Sequence, residues 1–195
     1  MSRNRDLEQR LDYTELQLRA VQRVSRFMAR EMSLNDALSR IVSLVAEFMS
    51  SDSCLLYLVE GDQLVLCASS VPNPAAIGRV RLKLSEGLTG WVARERRLLA
   101  ISRESYTDPR FKFFGDLPED TFEAFLSVPI LARNRMLGVI NVQHRAPHSH
   151  TGGEMELLST IGEQAGCLLL LSNLDSKTLN PVEAVMSAAP ASPII

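Results

Sequence analysis

The sequence predicts an α+β domain: a mostly antiparallel sheet covered by helices on both faces, with a long helix ahead of it. Three observations carry this. Periodic segments run helix, helix, hairpin, strand, mixed connection, hairpin, helix. Gly61-Asp62 separates two apolar β-rich runs, a two-residue hairpin signal. Apolar residues recur at helical spacing before residue 50 and after residue 151.

Residues 3–32 form the first predicted helix. Leu7, Leu11, Thr14, Leu18, Val21, Ser25, Met28 and Met32 alternate four and three apart, the spacing of a heptad seam. The intervening positions are strongly charged, as exposed coiled-coil positions usually are. Ser33 with Asp36 is a capping-box pattern that starts a second helix at about 34–49. Strands at 53–60 and 64–70 flank Gly61-Asp62. With Glu60 facing Gln63, Tyr57 faces Leu66 and Leu56 faces Cys67. Residues 79–84 alternate charged and apolar, as an edge strand does. Gly87 to Arg94 opens a short helix, Leu98–Ile101 is a short strand, and Asp108-Pro109 reads as a helix start. Strands follow at about 124–131 and 136–144. A three-residue turn between them pairs Ser127 with Asn141; a two-residue turn sets Ser127 opposite Val142. Thr151 with Glu154 caps a last helix reaching about 173. The expected organisation is a dimerisation and signalling helix over 1–32, a domain over 33–173 and a disordered tail over 174–195.

Composition excludes several function classes. The 195 residues carry 21 Lys+Arg against 23 Asp+Glu, a net charge of −2, which argues against a nucleic-acid partner. No apolar run approaches the roughly 20 residues of a membrane span. The polar start lacks a signal-peptide core, and three scattered cysteines make no disulfide framework. The expectation is a cytoplasmic protein without a membrane partner.

Five segments, in order, resemble the GAF domain, a small ligand-sensing module of signalling proteins. They are Gly87-Leu88-Thr89-Gly90-Trp91-Val92-Ala93, Leu99-Ala100-Ile101-Ser102, Asp108-Pro109-Arg110-Phe111, Phe125-Leu126-Ser127-Val128-Pro129-Ile130 and Leu137-Gly138-Val139-Ile140-Asn141-Val142-Gln143. The resemblance covers roughly 33–173. Its Asp-Pro-Arg-Phe-Lys segment and final Val-Gln are most similar to the GAF domain ahead of nitrogen-related phosphoenolpyruvate–protein phosphotransferases, whose phosphotransfer domains have no counterpart in these residues. The resemblance implies a small ligand between one sheet face and the loops after the third strand, a dimer built by the first and last helices, and no covalent chromophore or cofactor.

The residues themselves point to the same region. Asn141 and Gln143 alternate with Ile140 and Val142 in an expected central strand, and a buried amide needs partners. They meet a small polar ligand, with Ser127 beside them, or they tie down the aromatic loop. Trp91, Phe111, Phe114, Phe122 and Phe125 line a pocket lid or fill a core. Cys54, Cys67 and Cys167 sit in regular elements, unlike the loop-placed cysteines of methionine-sulfoxide reductases of this superfamily, so no enzyme is expected. His144, His148 and His150 read as a solvated loop with no metal site. Leu7, Leu11, Leu18, Val21 and Met28, with Leu157, Ile161 and Leu168 of the last helix, are the expected homodimer interface. Gly162 and Gly166 allow close packing there or on the sheet. Any signal is expected to pass to a separate output protein.

Overall fold

The computed structural model describes residues 2–30, 32–112, 122–175 and 181–187. The elements are α1 (Ser2–Met28), α2 (Leu34–Phe48), β1 (Ser53–Glu60), β2 (Gln63–Ser69), β3 (Arg81–Lys83), α3 (Gly87–Glu95), β4 (Leu99–Ile101), β5 (Ala124–Ala132), β6 (Arg135–His144), α4 (Gly152–Asp175) and α5 (Pro181–Ser187). The strands form one antiparallel sheet in the order β3-β2-β1-β6-β5-β4. The alternating segment around residue 82 is an edge strand, as its pattern predicts, but only three residues long.

Both helix starts are capped, the second as a full box in which the Thr151 backbone N–H also donates to Glu154 Oε2. Ser33 Oγ accepts from the Asp36 backbone N–H at 3.1 Å, and Thr151 Oγ1 accepts from that of Glu154 at 3.2 Å. Each satisfies an orphan donor of a helix start.

Alternation along the central strands divides the interior in two. Cys54, Leu56, Leu58, Ile140, Val142, Leu126 and Val128 face one side with α2 and α4. Leu55, Tyr57, Leu66, Val139 and Phe125 face the other side, beneath α3. α1 packs onto the helix layer through buried Ala20 and Val24, while Leu7, Leu11 and Leu18 remain 54%, 62% and 56% exposed.

Both hairpin registers depend on bulges that composition does not reveal. In the first, Glu60 faces Gln63 and Tyr57 faces Leu66, as expected, but Leu56 then faces Ala68, with Cys67 as the extra residue. The second turn has two residues, Arg133 and Asn134, both with positive φ, as a type I′ turn requires. Alone it would set Ser127 against Ile140. A bulge pairs Leu131 with Met136 and Ile130 with Gly138, skipping Leu137, and so returns Ser127 to Asn141.

Several expectations are corrected. The tail expected to be disordered over 174–195 contains α5, whose Val182 and Val185 are buried against the helix-side core. Pro181 at its first position is pre-set for a helix start. Residues 176–180 and 188–195 lie outside the described residues. Leu157 and Ile161, expected between copies, are buried against the sheet of their own chain, at 5% and 1% exposure. Leu168, Val21 and Met28 also pack partly on that core. The reason is glycine: a Cβ at Gly162 would lie 3.3 Å from the Pro129 carbonyl oxygen, and one at Gly166 2.6 Å from that of Leu131. The bare helix backbone lies directly on β5. Asp108-Pro109 opens a turn, with Asp108 Oδ1 accepting from the Arg110 backbone N–H at 2.9 Å, rather than a helix.

Candidate functional site

On the face beneath α3, a cavity of about 420 Å³ opens beside the ends of β1 and β6. Its apolar wall includes Leu55, Tyr57, Leu66, Ala76 and Leu88, with the rings of Phe111, Phe122 and Phe125. Its polar groups include Asp52, Ser53, Asn73, Thr89, Lys112, Asn141, Gln143 and Arg145. Mostly apolar walls with a few placed polar groups are the usual make-up of a small-molecule site.

The strand period explains who arrives there. Asn141 faces Leu55 and Ser127, and Gln143 faces Ser53 and Phe125, so all these side chains share the cavity face. Arg145 follows at the same period, and its backbone N–H donates to Asp52 Oδ2 at 2.7 Å. The Val71-Pro72-Asn73 loop after β2 lines the cavity as well.

Within this set Asn141 has a structural task. The Ser127 hydroxyl donates to Asn141 Oδ1 at 2.7 Å, and Asn141 Nδ2 donates to Thr89 Oγ1 at 2.7 Å. Asn141 is only 2% exposed. The chain of bonds ties α3 to two sheet strands, so the amide holds down the helix rather than the aromatic loop. Ser127 stands behind Asn141 and does not line the cavity. Gln143 is half-buried and faces the open volume.

The aromatic expectation divides. Phe111, Phe122 and Phe125 line the cavity, and Phe114 lies outside the described residues. Trp91 is not at this cavity. It lines an adjoining hollow of about 330 Å³ with Arg94, Pro109 and Arg110, where the Arg110 guanidinium stands 4.7 Å from the ring centroid. Asp108 holds that guanidinium by two bonds of 2.8 and 2.7 Å, and Arg110 keeps the Asp108 carboxyl below its ordinary range. Phe111 and Lys112 border both hollows. Lys112 also meets Glu86 at 2.9 Å, which anchors the connection to the start of α3 and lowers the Glu86 carboxyl.

Sequence reasoning missed Asp52, Ser53, Asn73, Thr89, Lys112 and Arg145. Arg145 had a signal, since it extends the every-second-residue row of Asn141 and Gln143. Asp52, Asn73 and Lys112 come from loops, Ser53 from the start of β1 and Thr89 from α3, and only tertiary packing brings them together.

The cysteines stand away from this chemistry. Cys54 and Cys67 are on the helix side of the sheet, and Cys167 is on α4. Burial pushes both strand thiols upward, Cys67 to about 12, so neither is a thiolate at neutral pH. The histidine segment is not the solvated loop expected: His144 is buried, and the rings of His144, His148 and His150 lie together. Among the described residues, no helix is long and apolar enough to cross a membrane.

Comparison with known proteins agrees with this geometry. The family model for the GAF domain matches residues 33–169. The phosphoenolpyruvate-dependent phosphotransferase system protein of Escherichia coli is 28% identical over 164 residues. That match covers 82% of this chain but only 22% of the relative. The crystal structure of the GAF domain from an Acinetobacter phosphoenolpyruvate-protein phosphotransferase superposes with a TM-score of 0.75 at 28% identity, covering 84% of this chain and 98% of that one. The corresponding domain from Coxiella burnetii superposes with a TM-score of 0.77 at 22% identity, covering 83% and 97%.

Proposed function

This chain belongs to the GAF domain family, and from that premise we propose that it is a regulatory module that senses a small polar metabolite in the cavity beneath α3. The observation that carries this reading is the cavity itself: about 420 Å³, walled by apolar side chains and bordered by Gln143, Ser53 and Arg145. The ligand's apolar body lies on Leu55, Tyr57 and Phe125, and its polar end reaches Gln143. The similarity spans about a fifth of the E. coli relative, so that protein's activity is not carried over. The buried, protonated strand cysteines favour a regulatory role over reductase chemistry.

The test is thermal unfolding against a panel of amino acids, nucleotides and 2-oxoacids. A ligand at 100 times its dissociation constant stabilises the fold by about 2.7 kcal/mol. For a chain of this size that raises Tm by roughly 5–11 °C. Gln143→Ala abolishes the rise without lowering the Tm of the free protein. No response across the panel would favour a dimeric scaffold that binds only protein.

The output passes through α1 in a homodimer. Leu7, Leu11 and Leu18 lie four and seven apart on an exposed stripe, as a parallel two-helix seam requires. Ligand binding moves that seam only if the two helix arrangements bind the ligand with different affinity. Sedimentation of the full chain at micromolar concentration gives a dimer, and Leu11→Glu with Leu18→Glu gives a folded monomer. A wild-type monomer at high micromolar concentration removes this part of the reading.

A further inference from the structure

His144 is the last residue of β6 and points, with Ile140 and Val142, to the helix side of the sheet. The chain then turns back. The His148 backbone N–H donates to the Ser102 carbonyl at 2.9 Å, and His148 Nε2 lies 2.9 Å from Glu154 Oε1 at the start of α4. This fold-back gathers three imidazoles. The rings of His144 and His148 stack at 4.1 Å between centroids, and His150 stands 5.4 and 4.8 Å from them. One candidate ligand nitrogen from each lies within 4.8 Å of the others.

Two of the three rings carry buried nitrogens without partners. His144 is 6% exposed, and its Nε2 is buried with no hydrogen-bond partner. Both ring nitrogens of His150 are in the same condition. Buried polar atoms without partners are uncommon and costly, so unpaired nitrogens on two rings packed together indicate something that accepts their lone pairs. Burial and mutual repulsion among the rings hold His144 and His150 below the ordinary imidazole range, His150 at about 4. Asp52, before β1, and Glu154, on α4, oppose this without overcoming it. No hydrogen bond from the protein occupies His144 Nε2 or either ring nitrogen of His150.

We infer that His144, His148 and His150 form a binding site for a divalent first-row transition ion of the zinc class. An all-imidazole donor set suits Zn²⁺, Co²⁺, Ni²⁺ or Cu²⁺ and not Ca²⁺ or Mg²⁺, which take oxygen ligands. Nitrogens bound at about 2.0–2.1 Å around a tetrahedral ion sit about 3.3 Å apart. Small ring rotations close the present spacing to that value. Glu154 is the orienting carboxylate: it accepts from His148 Nε2, leaving Nδ1 for the ion, and is itself held by the Thr151 backbone N–H at 2.6 Å. The fourth coordination position stays open to water or an added ligand. The ion joins the end of β6, the following loop and the start of α4, on the sheet face opposite the cavity.

The test uses the full chain stripped with chelator, titrated with ZnCl₂ by calorimetry and with CoCl₂ by visible absorption. One ion binds per chain, cobalt shows the intense band of a tetrahedral site, and neither Ca²⁺ nor Mg²⁺ competes. His148→Ala and His150→Ala, both in the surface loop, keep the far-ultraviolet circular dichroism of the parent. Each weakens Zn²⁺ binding by more than about 100-fold. Glu154→Gln weakens it by about 10- to 100-fold. Zinc affinity unchanged in both histidine variants, or less than one ion per chain, overturns the assignment. The readout is direct binding, so it is independent of the metabolite-sensing reading.

Discussion

Replacing Asn141 by alanine is expected to lower stability by about 2–4 kcal/mol, the sum of two unpaired buried hydroxyls at roughly 1–3 kcal/mol each, partly relieved by relaxation. The amide is the middle member of a three-residue chain in which Ser127 donates to it and it donates to Thr89. All three side chains are buried, so the two hydroxyls lose a partner where an unmade hydrogen bond is costly. The fall in Tm is about 4–16 °C, at roughly 2–4 °C per kcal/mol for a chain of this length. Ser127→Ala removes one bond only and costs less. Gln143→Ala, on the same strand but facing the open cavity, stays within about 0.5 kcal/mol of the parent. If Asn141→Ala unfolds with the parent midpoint, the amide is not what fixes α3 to the sheet. If it behaves as expected, α3 loosens first, and ligand binding weakens through loss of the cavity's shape rather than loss of a contact.

The second large effect is at the centre of the sheet. A Cβ at Gly138 falls against the Tyr57 carbonyl oxygen, and 3.1 and 3.2 Å from side-chain carbons of Leu58 and Ile130. Gly138 pairs with Leu58 on one side and Ile130 on the other, so the backbones on both flanks must give way. Gly138→Ala therefore costs about 3 kcal/mol in urea unfolding, the upper range for overpacking a core. Gly152→Ala is the matched control. Its Cβ meets nothing within 4 Å, so the same change of residue there is worth less than about 1 kcal/mol. Equal midpoints for the two variants would mean that β1 and β6 separate more easily than their packing indicates.

Much of this architecture was legible because it is written in local periods. The heptad spacing of Leu7, Leu11 and Leu18 marks α1, and the turn at Gly61-Asp62 marks the first hairpin. The row of Asn141 and Gln143 marks the cavity face. The family's ordered motifs located the whole domain. What was not legible depends on distant contacts. The bulges at Cys67 and Leu137 are chosen by how the sheet packs, not by the residues at the turns. α5 looks like a solvated tail until the core that covers Val182 and Val185 exists. Trp91 shares a motif with Thr89, yet one lines the adjoining hollow and the other reaches Asn141. The histidines appear scattered along a loop, and only the bonds to Ser102 and Glu154 curl that loop into a cluster.

The skipped Leu137 acts on the second hairpin as a phase corrector. A two-residue turn and one extra residue together leave β6 an odd step ahead of the count that the turn alone would set. Pairing that ran on from the turn without this bulge would set Ile130 against Leu137 and exchange the two faces of β6. Asn141, Gln143 and Arg145 would then turn into the apolar layer beneath α4, while Ile140 and Val142 turned toward the cavity. The recognition surface and the core are bound to one shared parity, so neither can drift in register without inverting the other.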